Sequence, residues 1–400
     1  MKNIIILLID ALRPKNLSLF GYSKETDKFF KKIAEEEILF KNHFSTSNAT
    51  APAITSILTG QYPTKHGIIH QLPYTKQEEI EKVEKTDFWL PNYLKEKGYE
   101  TICIDWVGLW FRKGFDFYGE EDEENKPSGP SFLSAKETVN LAISRVRKSK
   151  KPFFLFTHFW DTHFPFPNTH YESKGDEKDR TKLLESIKDE KQKEYLRKRI
   201  AKTNLYTLQE MINKYDLAIK GIDEEIGRFI EFLKSNNWWE DTVFIVLGDH
   251  GDNLTTHKMY FSHSGLFDDS IHVPMAAHIP GIEKKELEGL TQHVDIVPTL
   301  LEYLGFEKKE NLDGKSLIPL IKEGVQIREK ILAFDGLCND VVAVRTKNRK
   351  LISTKDSFCN LCKGSHHEKF EEYDLEKDPE ELNNIYSGES DLKQELDTLE

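Results

Sequence analysis

The chain has 400 residues, 38% of them hydrophobic, enough to bury a large core in one big domain or two unequal ones. A formal net charge of −12 excludes nucleic acid as a main partner, because binding a phosphate backbone needs a basic surface. No apolar run reaches the roughly 18 residues of a membrane span, and four cysteines do not make a disulfide scaffold at this length, so the expectation is a cytoplasmic protein with no membrane partner.

The first element is NIIILLID at 3–10. A continuous apolar run predicts a strand buried on both faces. It is too short for a leader peptide and runs straight into Asp10 and Arg13. A carboxylate at the end of a buried strand is costly unless it is paired, capped or bound to a cation, so Asp10 is either a ligand or a partner for Arg13. Next, in TSNATAPAITSILTG at 46–60, a loop becomes a helix. Thr50 reads as its N-cap, Pro52 fits the first turn, Ile54, Ile57 and Leu58 have helical spacing, and Gly60 is the stop.

Three more apolar runs end in polar turns: ETICID at 100–105, PFFLFTHFWDTH at 152–163 and TVFIVLGDHGD at 242–252. Between the last two lies YDLAIKGIDEEIGRFIEFLKS, where Ile219, Ile222, Ile226, Phe229 and Leu233 form one apolar stripe. Strands alternating with helices predict an α/β fold, a three-layer α/β/α sandwich around a mostly parallel sheet. Ligands of such sheets gather at the carboxyl ends of strands, where Asp10, His163, Asp249 and His250 stand. The acidic loop at 119–130 and a charged stretch of about 40 residues after Asn168 read as solvated insertions. The second follows His163 directly and could act as a lid. From 326 the runs ILAFDGL, VVAVRT and KLIST predict a small C-terminal antiparallel subdomain, which divides the chain into 1–325 and 326–400.

GDHGD at 248–252 is the strongest local signal. Asp249 and His250, bracketed by glycines after a buried strand, supply one oxygen and one nitrogen ligand; the alternative is an ordinary polar turn. A threonine at a helix N-terminus beside such an ion would be more than a cap. The cation and the exposed N–H groups would favour its alkoxide and an incoming anion.

Taken in order, NIIILLIDALRP, TAPAITSILTGQYPTKHGI, FWDTHFPF, YDLAIKGIDEEIGRFIEFL, VFIVLGDHGDNLTTHKMYFSHSGLFDDSIHVPM and EEYDLEKDPEELNN resemble the sulfatase-like branch of the alkaline phosphatase superfamily. The likeness covers nearly the whole chain, and TGQYPTKHG and YDLEKDPEELNN carry most of it. It implies a metal-centred site and attack by a metal-bound nucleophile on a phosphate or sulfate ester. Carried over by position, the nucleophile is Thr50 and the metal ligands are Asp10, Thr50, Asp249 and His250. His163, His257 and His263 fall at substrate-binding positions, with His163 or His263 assisting the leaving group.

The departures shape the expected activity. Sulfatases place Cys or Ser in Cys/Ser-x-Pro-Ser-Arg and oxidise it to formylglycine, whereas this chain reads Thr50-Ala51-Pro52-Ala53-Ile54. Oxidising a threonine gives a ketone, not an aldehyde. The motif arginine is Ile54, and the family's frequent second aspartate after the first is Ala11. Threonine nucleophiles occur in relatives that act on phosphorus, including nucleotide pyrophosphatase/phosphodiesterases and phosphoglycerol transferases. The expectation is therefore a hydrolase of small phosphate esters, phosphodiesters or phosphonate monoesters, through a phosphothreonine. The alternatives are a sulfate-ester hydrolase, a phosphoglycerol- or phosphoethanolamine-type transferase, and a degenerate binding module. With imidazole and carboxylates as donors, one divalent ion, Mn or Zn rather than Ca, is expected; Asp161, His163 and His263 could build a second site. Separately, Cys359-x-x-Cys362 with Cys338 and His366 is a candidate structural zinc site, or a hairpin loop that merely holds thiols.

Overall fold

A computed structural model describes residues 1–119, 133–150 and 152–397; all but the first residue of the acidic loop at 119–130 lies outside them. The chain builds an eight-stranded sheet from β1 (Asn3–Ile9), β2 (Ile38–Phe44), β3 (Glu100–Ile104), β4 (Phe117–Tyr118), β5 (Phe153–Phe159), β6 (Thr242–Gly248), β7 (His272–His278) and β8 (Lys285–Gln292). Their order is β4-β3-β5-β1-β6-β7-β2-β8. Every pairing is parallel except those of β7, which runs against β2 and β6. β1 lies at the centre, in parallel register with β5 and β6.

The apolar run of β1 is continuous because it feeds two cores. Ile4, Ile6 and Leu8 face one with Ile54, Ile57 and Leu58 of the Thr50–Thr59 helix. Ile5, Leu7 and Ile9 face the other with Ile219, Ile222, Ile226, Phe229 and Leu233 of the Leu208–Ser235 helix. This is the expected three-layer sandwich. Each aliphatic side chain so buried contributes about 1.5–3 kcal/mol, so a strand covered on both faces, as β1 is, is under pressure to stay apolar. The charged insertion is less solvated than its composition implies, because its Glu190–Ile200 helix buries Leu196 and Ile200 in the second core.

A second sheet, β9 (Lys330–Phe334), β10 (Cys338–Thr346), β11 (Arg349–Cys359) and β12 (Phe370–Asp374), is antiparallel in the order β12-β11-β10-β9. It packs on the main body through Ile331, Ala333, Val341 and Ile352 against Phe44, Leu266, Phe267 and Ile271. Within that seam Lys350 is fully buried, its Nζ 2.6 Å from both Asp268 and Glu381. Arg345 adds a second cation on Asp268.

Candidate active site

β1 delivers Asp10 and β6 delivers Asp249 and His250 to the same end of the sheet, and the Thr50–Thr59 helix begins there. That helix is buried along its whole length. It stops at Gly60, whose φ of +67° and Cβ position 3.1 Å from Val297 and Leu312 admit only glycine comfortably. TGQYPTKHG proves to be scaffolding for it: His66 Nε2 lies 3.0 Å from Ser56 Oγ, and its Nδ1 accepts the Ile68 N–H.

Thr50 is not a cap. The capping position is Ala49, with no side-chain bond, and Thr50 is the first helical residue. Its hydroxyl instead lies 3.4 Å from Asp10 Oδ2 and 3.2 Å from His250 Nε2. The first-turn N–H groups expected to cradle an anion are largely spent: Ala51 N–H donates to Gln71 Oε1, residue 52 is proline, and Ala53 N–H donates to the Ala49 carbonyl. Anion contacts have to come from side chains.

Asp10, Asp249 and His250 present donor atoms within 4.8 Å of one another, all buried. Asp249 Oδ1 accepts the backbone N–H groups of Ala11 and His250, which turns Oδ2 inward. His250 Nδ1 lies 2.7 Å from the Gly251 carbonyl; donating there leaves a lone pair on Nε2. Asp10 Oδ1 and Asp249 Oδ2 are buried with no hydrogen-bond partner. Burial, and then the neighbouring Asp249 carboxylate, pushes Asp10 well above the usual carboxylate range. Burial likewise raises Asp249 and lowers His250 to about 4. Orphaned carboxylate oxygens facing an imidazole lone pair fit a divalent cation, which would settle all of them at once. Arg13 does not compete for Asp10, since it turns to Asn16 and Asp269.

His163 and His263 stand at the open side of this group, partly exposed where the ligands are buried. The His263 ring stacks on His250, and its Nδ1 is bonded to the Asn48 carbonyl, which leaves Nε2 as an acceptor. Burial, followed for His163 by the charge of Arg199 and for His263 by that of His250, brings both to about 3.

Other expectations need correction. The His257 ring stacks on Phe267, 3.6 Å between centroids, and the charges acting on it are Asp269, Lys350, Lys15 and His367. It belongs to the seam with the second sheet, not to the metal group. Asp161, His163 and His263 do not come together as a donor group among the described residues; Asp161 Oδ1 accepts the Ala135 N–H at the start of the Ala135–Lys148 helix.

Two residues escaped the sequence reading. His158 lies inside β5 opposite Leu8, with Nε2 3.9 Å from Asp10 Oδ2 and 3.8 Å from Asp249 Oδ2, and Nδ1 3.6 Å from Asp105 Oδ2. An imidazole in the middle of FFLFTHF was the available signal. Arg199, in the insertion helix, stands over Phe164 and donates to the Phe261 carbonyl, while its Nε is buried without a partner. Nothing in KEYLRKRI distinguishes it from its neighbours. The same helix faces loop residues Met259 and Ser262 across a cavity of ≈ 350 Å³, whose far wall carries Cys362 and His366.

Residues 2–306 match the Sulfatase family model. The chain belongs to the sulfatase family. Residues 256–399, which include the second sheet, match the model of the N-sulphoglucosamine sulphohydrolase C-terminal region. This sulfatase-family chain is an enzyme, a hydrolase of sulfuric or phosphoric esters. It is 27% identical over 349 residues to an arylsulfatase of Clostridium perfringens, covering 83% of this chain and 68% of that protein. Among solved structures, it is similar to one holding its substrate D-glucosamine-2-N,6-O-disulfate, with TM-score 0.72, 19% identity and coverage of 100% and 96%. It is also similar to the phosphonate monoester hydrolase of Agrobacterium radiobacter, with TM-score 0.70, 19% identity and coverage of 100% and 95%.

Proposed function

We propose that this sulfatase-family enzyme hydrolyses phosphonate monoesters or phosphodiesters by attack of Thr50 Oγ1 on phosphorus. The observation that carries the reading is the Thr50 hydroxyl itself, held between Asp10 Oδ2 and His250 Nε2 instead of capping its helix. Asp10, Thr50, Asp249 and His250 would hold one divalent ion. Their oxygen-and-imidazole donor set suits Mn or Zn better than Ca. When bound, the ion supplies Lewis acidity that stabilises charge on the nucleophile and on the ester.

The chain's own residues do the rest. The Thr50 proton passes to Asp10 Oδ2 as Oγ1 bonds phosphorus and the bond to the leaving oxygen breaks, the leaving group departing as its anion, and the proton returns to Oγ1 when water cleaves the adduct. His163 and Arg199 hold the non-bridging oxygens, with Arg199 taking the place of the motif arginine that Ile54 lacks. His263 Nε2, an acceptor, takes a proton from the water that later cleaves the phosphothreonine. The cavity between the insertion helix and the 258–262 loop receives the leaving group.

Phosphorus is preferred to sulfur on chemical grounds. An aldehyde hydrate has two hydroxyls on one carbon, so one can expel the ester formed at the other. A threonine has a single hydroxyl, so its adduct is released only by water attacking the central atom. The second reading, sulfate-ester hydrolysis, is favoured by the arylsulfatase relative and the disulfated-substrate structure. A metal-supplemented assay of one aryl leaving group on phosphate monoester, phosphodiester, phosphonate and sulfate separates them. Highest kcat/KM on the phosphonate or diester is expected, and a preference for the sulfate reverses the assignment.

A further inference from the structure

Outside the catalytic group, one more cluster gathers metal-binding side chains. Cys338 and Cys359 are directly opposed on β10 and β11, and both are fully buried. β11 then turns back on itself: Cys359 N–H donates to the Gly364 carbonyl, Lys363 N–H to the Cys359 carbonyl, and Lys363 takes a φ of +61°. This knuckle folds Cys362 and His366 over Cys359, with Cys362 Sγ 2.7 Å from His366 Nε2. Donor atoms of Cys359, Cys362 and His366 lie within 4.8 Å of one another, and Cys338 stands across the β10–β11 ladder from Cys359.

We propose that Cys338, Cys359, Cys362 and His366 bind a structural zinc ion that is separate from the catalytic metal and fixes the wall of the substrate cleft. Three thiols and an imidazole are the soft, four-donor set that selects zinc. Polar groups outside the set support thiolates: Gly364 N–H donates to Cys362 Sγ at 3.4 Å, and Ser264 Oγ lies 3.3 Å from Cys359 Sγ. As each Zn–S bond forms, the thiol proton passes to solvent and no electron moves. A disulfide accounts for the cluster less well, because pairing any two of the three cysteines leaves the third thiol and His366 without a role.

The location gives the ion work to do. Ser264, bonded to Cys359, is the neighbour of His263, and Cys362 and His366 line the cavity opposite Tyr195 of the insertion helix. Zinc at the knuckle would therefore hold the His263 loop against the second sheet. That consequence rests on the ester-hydrolase reading; the zinc site does not.

The test is metal analysis of the dialysed full chain beside Cys362→Ser, His366→Ala and Asp249→Ala. Zinc near one equivalent should survive Asp249→Ala and fall about tenfold or more when Cys362→Ser or His366→Ala is added to Asp249→Ala. Should Cys362→Ser fold poorly, cobalt-loaded Asp249→Ala serves instead, because thiolate ligation gives an intense sulfur-to-cobalt absorption in the near ultraviolet that oxygen and imidazole ligands do not. Zinc that is lost with Asp249→Ala and kept with Cys362→Ser overturns the proposal. So does a Cys338–Cys359 disulfide in zinc-free protein, or cobalt-loaded Asp249→Ala without the sulfur band. An enzyme inert toward every ester, yet with zinc behaving as expected, would sink only the hydrolase reading.

Discussion

The imidazoles of His250 and His263 stack with centroids 4.3 Å apart and planes 23° from parallel. One ring is buried among the carboxylates and the other is bonded to the Asn48 carbonyl just before Thr50. His263 is thus held by both sides of the site. His263→Ala should lower kcat by about 10²-fold, the usual scale for losing a positioned base, with bound metal unchanged. Steady-state kinetics with metal analysis checks this, and a near-normal kcat would remove His263 from the chemistry.

Thr50 bears the sharpest expectation. Thr50→Ala should cost about 10³-fold or more in kcat, since members of a nucleophilic unit fail together. Thr50→Ser, which loses only a methyl group, should keep a measurable rate. Rapid-quench mass spectrometry should find a phosphate adduct on Thr50 in the wild type. Full activity in Thr50→Ala would end the nucleophile assignment.

Asp249→Ala removes both the inward Oδ2 and the acceptor for two backbone N–H groups. The catalytic ion should be lost, and activity should return only at metal concentrations raised by about 10²-fold or more. Titration of activity against Mn and Zn reads this directly. An unshifted curve would mean that the metal sits elsewhere.

Arg199 gives the insertion a function. A charge-assisted hydrogen bond to an anion is worth about 1.5–3 kcal/mol, so Arg199→Ala should weaken kcat/KM by about 10–100-fold, most of it in KM. Arg199→Lys should recover only part, because a point charge replaces a planar fork. If KM is unmoved, the Glu190–Ile200 helix is only a surface element.

Acid stability has a local handle in Glu210. Burial pushes this carboxyl up, but hydrogen bonds from Ser173 and from the Tyr206, Lys174 and Gly175 N–H groups outweigh it and hold it at about 2, below the ordinary 4.5. A depressed carboxyl contributes stability that is complete above 4.5 and lost as pH falls towards 2. Denaturation at several pH values should show wild type more stable than Glu210→Gln at pH 7, with the gap closing below 4.5. A gap that stays constant with pH would mean that the charge plays no part.

What the sequence revealed depended on burial. Runs such as NIIILLID announced themselves because both faces of β1 are covered, whereas KELEGLTQ of β8 alternates with solvent at the sheet edge and went unread. β2 and β7 were missed for another reason: ILFKNHF and HVPMAAH mix polar residues into short runs, and β7 is the one antiparallel member. Asp10, Thr50, Asp249 and His250 could be found because each ends or begins an element. His158 and Arg199 matter only through what the fold sets beside them, and no local pattern encodes that. His257 misled for the same reason, since its neighbour Phe267 lies ten residues away on the other side of a loop.

The buried Lys350 has a consequence for the order in which the protein is made. Asp268 closes the loop that carries His263, yet its cations, Lys350 and Arg345, arrive much later in the chain, and Glu381 of the YDLEKDPEELNN segment, which balances Lys350, arrives last. A nascent chain that has emerged only as far as β8 has all four proposed metal ligands but leaves Asp268 without Lys350 and Arg345. A chain cut short there would keep the His263 loop but not the cations that tie Asp268 to the second sheet. The anchoring of the His263 loop to the second sheet therefore waits on a charge, that of Glu381, which lies more than a hundred residues further along the chain than Asp268.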